Sequence, residues 1–310
     1  MFALKNLKQK TRDNIFVACL LIAPIMHFLL FWLYVNIDSI LLAFQHPATG
    51  EFGFTNFDRF FSKLALDWEG NTHLKTNIEN TFISAGLSMF VNMPFLVFVS
   101  YILFKKFFGH NFFRVAFYVP AIVGTVASTI MTIQIFSATG PIVVWGEKLN
   151  IEWPFEALQS GLLSNWLTAR KTFHITGMLG ISGASILLLT GAFQKIPQDL
   201  FDVGKLEGVG MGREFLYLIV PCAWSTIGIM WVMTFAQVWG DYNRVMLLTD
   251  GAYGTNNFAY YLFSASLGAT KGTETFNYPA AVGLLLTAVI MPLTLLLRWA
   301  SGKIVPEVEF

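Results

Sequence analysis

Six long apolar runs, at 14–37, 80–104, 115–146, 172–194, 215–240 and 275–297, contain no Asp, Glu, Lys or Arg. Each exceeds the roughly 20 apolar residues a helix needs to cross hydrocarbon, so the pattern predicts six membrane-spanning helices. A seventh charge-free run, 251–270, opens with Gly251, Gly254, Thr255, Asn256 and Asn257. Backbone this polar is costly in lipid, so that run is expected to be a protein-covered or interfacial loop. Asn92 and Pro94 near the middle of the second run predict a kink. The third run ends in Gly140-Pro141-Ile142-Val143-Val144-Trp145, expected to be a short interfacial helix. Segments 38–78 and 147–172 read as loops on one side of the membrane.

Composition agrees: 310 residues, 55% hydrophobic and only 13% charged, lie outside the range of soluble domains. Lys5, Lys8, Lys10, Arg12, Lys105, Lys106, Arg114, Lys195, Lys205, Arg213, Arg298 and Lys303 fall on the side of the N-terminal tail. That excess of cations predicts a multi-pass protein with both termini in the cytoplasm. The first apolar run is too long for a signal peptide's core and lacks a small-residue cleavage site after it. Cys19 and Cys222 sit in or beside spans and form no disulfide framework.

The polar bridge between the fourth and fifth runs carries the most pattern. Pro197 suits the start of a helix. Asp199 and Asp202 follow, where negative charge favours the helix dipole. Leu200, Val203 and Leu206 recur every three residues and form an apolar stripe. Gly208, Gly210 and Gly212 then break the helix. The product is a short amphipathic helix on the membrane surface, tied at both ends to spans. Periodicity alone fits a plain interfacial helix equally well. The glycines lack the spacing of a phosphate-binding loop, and the chain has no Walker A sequence with which to hydrolyse ATP itself.

Gln194, Ile196-Pro197, Asp202, Gly204, Glu207, Gly208, Phe215 and Pro221 together resemble the cytoplasmic EAA loop of ABC-importer permeases. Asp202-Val203-Gly204 stands where that family usually has Glu-Ala-Ala, and Glu207-Gly208-Val209 where it has Asp-Gly-Ala. Val203 and Gly204 lower helix propensity relative to that pattern. Asn77-Ile78-Glu79-Asn80-Thr81-Phe82, Phe117-Tyr118-Val119-Pro120, Tyr242 to Gly251 and Phe276 to Ala281 are similar to further junctions of carbohydrate-importer permeases. The chain thus resembles one permease of a type I sugar ABC importer of the maltose-transporter kind. The resemblance implies an all-α polytopic fold in a bacterial or archaeal cytoplasmic membrane. It implies residues 1–76 as tail, first span and outer loop, 77–300 as a core with coupling loop 195–217, and 301–310 as a cytoplasmic tail.

It also implies a coupling helix that docks on a partner ATPase. Pro197, Leu200, Phe201, Asp202, Val203, Gly204, Leu206, Glu207, Gly208 and Arg213 are its residues: the apolar ones for contact, Asp202 and Arg213 for polar bonds. Substrate contacts are implied on the flanking spans, at Ser182, Ser185, Trp231, Thr234, Gln237 and Trp239. Gln237 stands out as an amide in an apolar span. The implied partners are a second permease, ABC ATPase subunits that bind the ATP, an extracytoplasmic solute-binding protein, carbohydrate and lipid, with no nucleic acid, cofactor or metal. A peptide or amino-acid importer is the neighbouring alternative; a channel or carrier is less consistent. The spans hold no carboxylate of the kind an ion-driven carrier uses. His27, His46, His73, His110 and His174 show no ligand spacing.

Overall fold

The structure, a computed structural model, describes residues 9–70, 73–151, 153–180, 182–272 and 275–304. Among these residues there is no strand, only an isolated bridge between Gln45 and Phe52. The helices are α1 (Asp13–Phe44), α2 (Thr55–Gly70), α3 (Leu74–Phe104), α4 (His110–Ile122), α5 (Thr125–Ile135), α6 (Pro141–Lys148), α7 (Phe155–Ser160), α8 (Ala169–Leu179) and α9 (Gly183–Phe193). They continue with α10 (Gln198–Leu206), α11 (Met211–Cys222), α12 (Trp224–Val238), α13 (Asn243–Leu248), α14 (Phe258–Thr270) and α15 (Asn277–Ile304). Among the described residues α1, α3, the α8–α9 pair and α15 are long and apolar enough to cross a membrane. The pair α11–α12, bent by 79° at Ala223, makes a fifth when taken as one span. The chain is an all-α polytopic membrane protein.

The third apolar run does not form one helix. Val123 and Gly124 take extended backbone between α4 and α5, and a turn at Ser137–Gly140 precedes α6. The stretch beyond it has its own small core, in which Phe136 and Val143 pack with Ala157, Leu162 and Leu163. Segment 38–78 is also more ordered than a loop, because α1 runs on to Phe44 and α2 begins at Thr55. Of the run 251–270, residues 251–257 form the expected covered loop, with Thr255 and Asn257 buried, but residues from Phe258 onward are helical.

Three helices contain π-helical stretches, Phe28–Tyr34 in α1, Ser88–Asn92 in α3 and Phe215–Ile219 in α11, and the last two are each followed by a proline two residues later. Pro94 cannot donate to the Phe90 carbonyl, nor Pro221 to that of Tyr217, so the regular ladder opens there. The kink expected at Asn92-Pro94 takes this form. Proline chemistry therefore accounts for the wide turns in α3 and α11.

The chain divides into two compact units, residues 1–63 with 265–286, and 64–264 with 287–310. In the first, Ala43, Phe57 and Ala281 form a buried cluster. Asn56 and Asn277 donate to carbonyls at and just beyond the end of α1: Asn56 to Ala43 and Gln45, both at 2.9 Å, and Asn277 to Leu42 and Gln45 at 3.1 and 3.0 Å. In the second, the core joins α3, α9, α10, α11 and α12 through Leu96, Tyr101, Ile186, Phe193, Phe201, Ile219 and Ile227. Its end remote from α10 is clamped by Asn80, which donates to the carbonyls of Gly254 at 2.8 Å and Asn256 at 2.7 Å and accepts from Arg170 at 2.6 Å. The adjacent Thr81 hydroxyl accepts from the Phe258 amide at 2.9 Å.

Candidate functional site

Helix interruptions in α3 and between α8 and α9 open a polar cavity of about 640 Å³ inside the second unit. The π turn of α3 contributes Ser88 and Asn92 to its wall. The break between α8 and α9 contributes Gly180, Ser182 and Ser185, and α12 with the turn after it contributes Thr234, Gln237, Asp241 and Asn243. Hydroxyls and amides dominate this lining, and Asp241 is its one charged residue. The Asn92 Oδ1 is buried with no hydrogen-bond partner, which leaves a desolvated acceptor in the wall. Part of the polarity is already spent locally. The Ser182 hydroxyl caps α9 by accepting from the Ser185 amide at 3.4 Å, and the Thr234 hydroxyl donates to the Met230 carbonyl at 2.8 Å. Gln237 is exposed.

The cavity thus gathers Ser182, Ser185, Thr234 and Gln237, and leaves out Trp231 and Trp239. Trp231 serves the helix instead. In the π turn the Met93 amide bonds the Ser88 carbonyl, and Pro94 has no N–H for the Met89 carbonyl. The Trp231 indole N–H supplies that bond at 3.2 Å. Trp239 is buried between Phe82 and Phe235, with ring centroids 5.1 and 5.9 Å away.

At the other end of the second unit, the polar bridge folds as α10 and re-enters through α11. Pro197 occupies the cap position just before the helix, with extended ψ of 134°. At the far end the Val209 amide bonds the Gly204 carbonyl at 2.9 Å and the Gly208 amide bonds that of Lys205 at 3.1 Å. This pair of bonds is a Schellman motif, and it requires the positive φ of 69° that Gly208 adopts. Gly210 is extended and Gly212 lies within α11, so Gly208 alone makes the turn expected of all three glycines.

The apolar residues of α10 do not form the single stripe their spacing predicts. Phe201 is buried against Phe104, centroid to centroid 5.8 Å, with half-buried Leu200 beside it. Val203 and Leu206 face outward, the latter 89% exposed. Asp202, Glu207 and Arg213 are also exposed, and the Lys205 ammonium, 2.9 Å away, holds the Asp202 carboxyl below its usual range.

Where the bridge meets α3, the Glu214 carboxylate is buried and takes Lys105 Nζ at 2.6 and 2.8 Å. The Tyr101 hydroxyl donates to the same carboxylate at 3.2 Å. The Lys105 ammonium also lies 5.1 Å from the Phe201 ring centroid, so one cation joins α3, α10 and α11.

No family model matches the chain. It is 23% identical over 289 residues to the arabinooligosaccharides transport system permease protein AraP of Bacillus subtilis (strain 168), covering 90% of this chain and 86% of that protein. It is 22% identical over 321 residues to the polygalacturonan/rhamnogalacturonan transport system permease protein YteP of the same organism, covering 96% and 91%. Its fold matches a chain of a bacterial ABC transporter involved in the import of the acidic polysaccharide alginate. The TM-score is 0.78 at 16% identity, over 96% of this chain and 98% of the other. A second match, to an alginate ABC transporter in complex with an alginate pentasaccharide-bound periplasmic protein, has a TM-score of 0.78 at 17% identity, over 98% and 100%. Over nearly its whole length the chain is thus similar to permeases of carbohydrate ABC transport systems.

Within this permease the sequence reading missed Ser88, Asn92 and Asp241 as cavity residues and Glu214 as the latch of the bridge. A signal existed for Asn92, since a polar residue two positions before a mid-span proline marks the opened turn. Glu214 carried none, because its partner Lys105 lies 109 residues away in the chain.

Proposed function

We propose that this permease forms one half of the path for a sugar or oligosaccharide. A second permease completes the pathway, an extracytoplasmic solute-binding protein delivers the substrate, and ABC ATPase subunits hydrolyse the ATP. The observation that carries this reading is the cavity of about 640 Å³ lined by Ser88, Asn92, Ser185, Thr234 and Gln237. Sugar hydroxyls need paired donors and acceptors, and such side chains provide both. The exposed Val203 and Leu206 on α10 support docking of the ATPase there, with Asp202, Glu207 and Arg213 supplying polar contacts around them. Phe201 then fixes α10 to the membrane core and transmits its displacement to α3 and α9.

In this assembly both termini and α10 lie in the cytoplasm of a bacterial or archaeal cell. Helices α4 and α5 together provide the sixth crossing. Residues 77–300 act as the permease core, between a first span with its outer loop and a short cytoplasmic tail. Carbohydrate is favoured over peptide because the cavity offers neutral hydroxyls and amides around a single carboxylate, Asp241, and no basic residue to receive a peptide carboxylate.

The test is copurification through a C-terminal tag followed by uptake of labelled oligosaccharides. Recovery of a second permease and a Walker-motif ATPase in stoichiometric amounts, with uptake whose half-saturating concentration rises in Gln237→Ala, is the expected result. A chain recovered alone, or an uptake curve unmoved by Gln237→Ala, overturns the assembly or the site respectively.

A further inference from the structure

A second cavity, of about 220 Å³, lies where α3 and α9 leave the membrane on the side of α10. Its polar lining is Lys106, His110, Arg114, Thr190 and Gln194, over a floor of Leu103 and Phe104, and no acidic residue lines it. At roughly 30 Å³ per water it has room for about seven waters. The turn between α3 and α4 builds the basic rim. Lys106 and Gly109 both take positive φ, of 53° and 79°, which folds the chain back so that Lys106 and His110 share one opening. Arg114 stands one helical turn beyond His110 on the same face of α4. His110 Nδ1 is 3.1 Å from the Phe107 carbonyl oxygen, which leaves Nε2 for the cavity.

Lys106 and Arg114 open onto one cavity whose lining holds no acidic residue, so the arrangement is complementary to a bound anion. The surroundings say which kind. Phe107, Phe108, Phe112 and Phe113 are all exposed beside the basic rim, with Phe108 fully so. A soluble anion gains nothing from four bare aromatic rings. An amphiphile with a phosphate head and acyl chains uses both features, because basic pockets between spans at the membrane surface suit lipid headgroups.

We propose that this pocket binds the phosphate headgroup of an anionic phospholipid from the leaflet on which α10 lies. The bound lipid sits under the bridge, since Phe104 in the floor also packs on Phe201 and Gln194 directly precedes the turn into α10. This inference rests on the membrane-spanning fold and not on the identity of the transported sugar.

The test is native mass spectrometry of the full-length permease, with whatever subunits copurify, titrated with phosphatidylglycerol and with phosphatidylcholine. Two surface cations are worth roughly tenfold or more in anionic-lipid affinity. The wild type is therefore expected to prefer phosphatidylglycerol by about that factor, and Lys106→Gln/Arg114→Gln to lose the preference. The charge-conserving Lys106→Arg/Arg114→Lys should keep it, which separates loss of binding from loss of folding. Equal retention of the two lipids by the wild type, or an unchanged preference in the neutral double variant, overturns the proposal. So does displacement of the lipid by millimolar inorganic phosphate, which assigns the pocket to a soluble anion. Competition with a copurifying ATPase likewise overturns it and assigns the surface to protein docking.

Discussion

The Lys105–Glu214 pair fastens the re-entrant end of the bridge to α3, and its cost of removal can be worked from the structure. Lys105 Nζ is 2.6 and 2.8 Å from the two carboxylate oxygens, and the side chains are 23% and 11% exposed. A fully exposed ion pair contributes about 0.2–1 kcal/mol. Breaking a fully buried one costs about 3–5 kcal/mol, and hydrogen bonds to charged groups are worth about 1.5–3 kcal/mol net. This pair is mostly but not wholly removed from water, so Glu214→Gln should destabilise the permease by about 2–3 kcal/mol. Part of that loss would be the unpaired ammonium, which a double-mutant cycle separates from the interaction itself. With Lys105→Met, Glu214→Leu and the double variant, equilibrium unfolding in mixed micelles should give a coupling energy of about 2 kcal/mol. Glu214 is a positioning residue for α10, so Glu214→Gln should also lower the uptake rate while leaving the half-saturating substrate concentration unchanged. A coupling energy under about 0.5 kcal/mol, no larger than that of a surface pair, would refute the latch.

Four further outcomes follow from the same geometry. Gly204 lies inside α10, and an added Cβ meets only the Val209 Cβ at 4.0 Å. Gly204→Ala should therefore stabilise the helix by about 1 kcal/mol, read as about fivefold slower hydrogen exchange across 203–209. Gly208→Ala adds a Cβ into open space but at a φ of 69°, so it should cost about 1–2 kcal/mol and speed exchange in the same segment. Gly208→Pro, whose ring cannot adopt that φ, should uncouple ATP hydrolysis from uptake or disperse the complex; unchanged uptake by a normally inserted variant would contradict the lever role of α10. Asn80→Ala leaves the Gly254 and Asn256 carbonyls and the Arg170 guanidinium short of a partner, and should lower stability by about 2–4 kcal/mol in the same unfolding assay.

Much of this architecture was legible because membranes impose a simple rule on apolar length. The runs at 80–104 and 275–297 lie within α3 and α15, apart from two residues ahead of Asn277. Pro197 and Gly208 marked the ends of α10, as their restricted and permissive backbones dictate. The third run misled because a charge-free run is not a continuous helix: Gly124, Gly140 and Pro141 cut it where the stretch beyond builds its own core. Helix α2 was overlooked although Phe57, Phe60, Phe61 and Leu64 repeat at i, i+3, i+4 and i+7, a pattern hidden by the charges among them. Ser182, Ser185, Thr234 and Gln237, which line the cavity, were readable as polar residues in apolar spans. Trp231 lies outside the cavity lining and satisfies a carbonyl exposed by a proline on another helix, which no local pattern reports. The same limit hid Glu214, whose meaning depends wholly on Lys105.

The most direct test of coupling through α10 uses a photoactivatable phenylalanine analogue in place of Leu206, the most exposed apolar residue of that helix at 89%. After irradiation in cells, the adduct should contain a polypeptide with Walker motifs, and the same probe at Phe201, buried in the core, should give none. An adduct at Leu206 with lipid alone would contradict the account and leave α10 a plain interfacial helix.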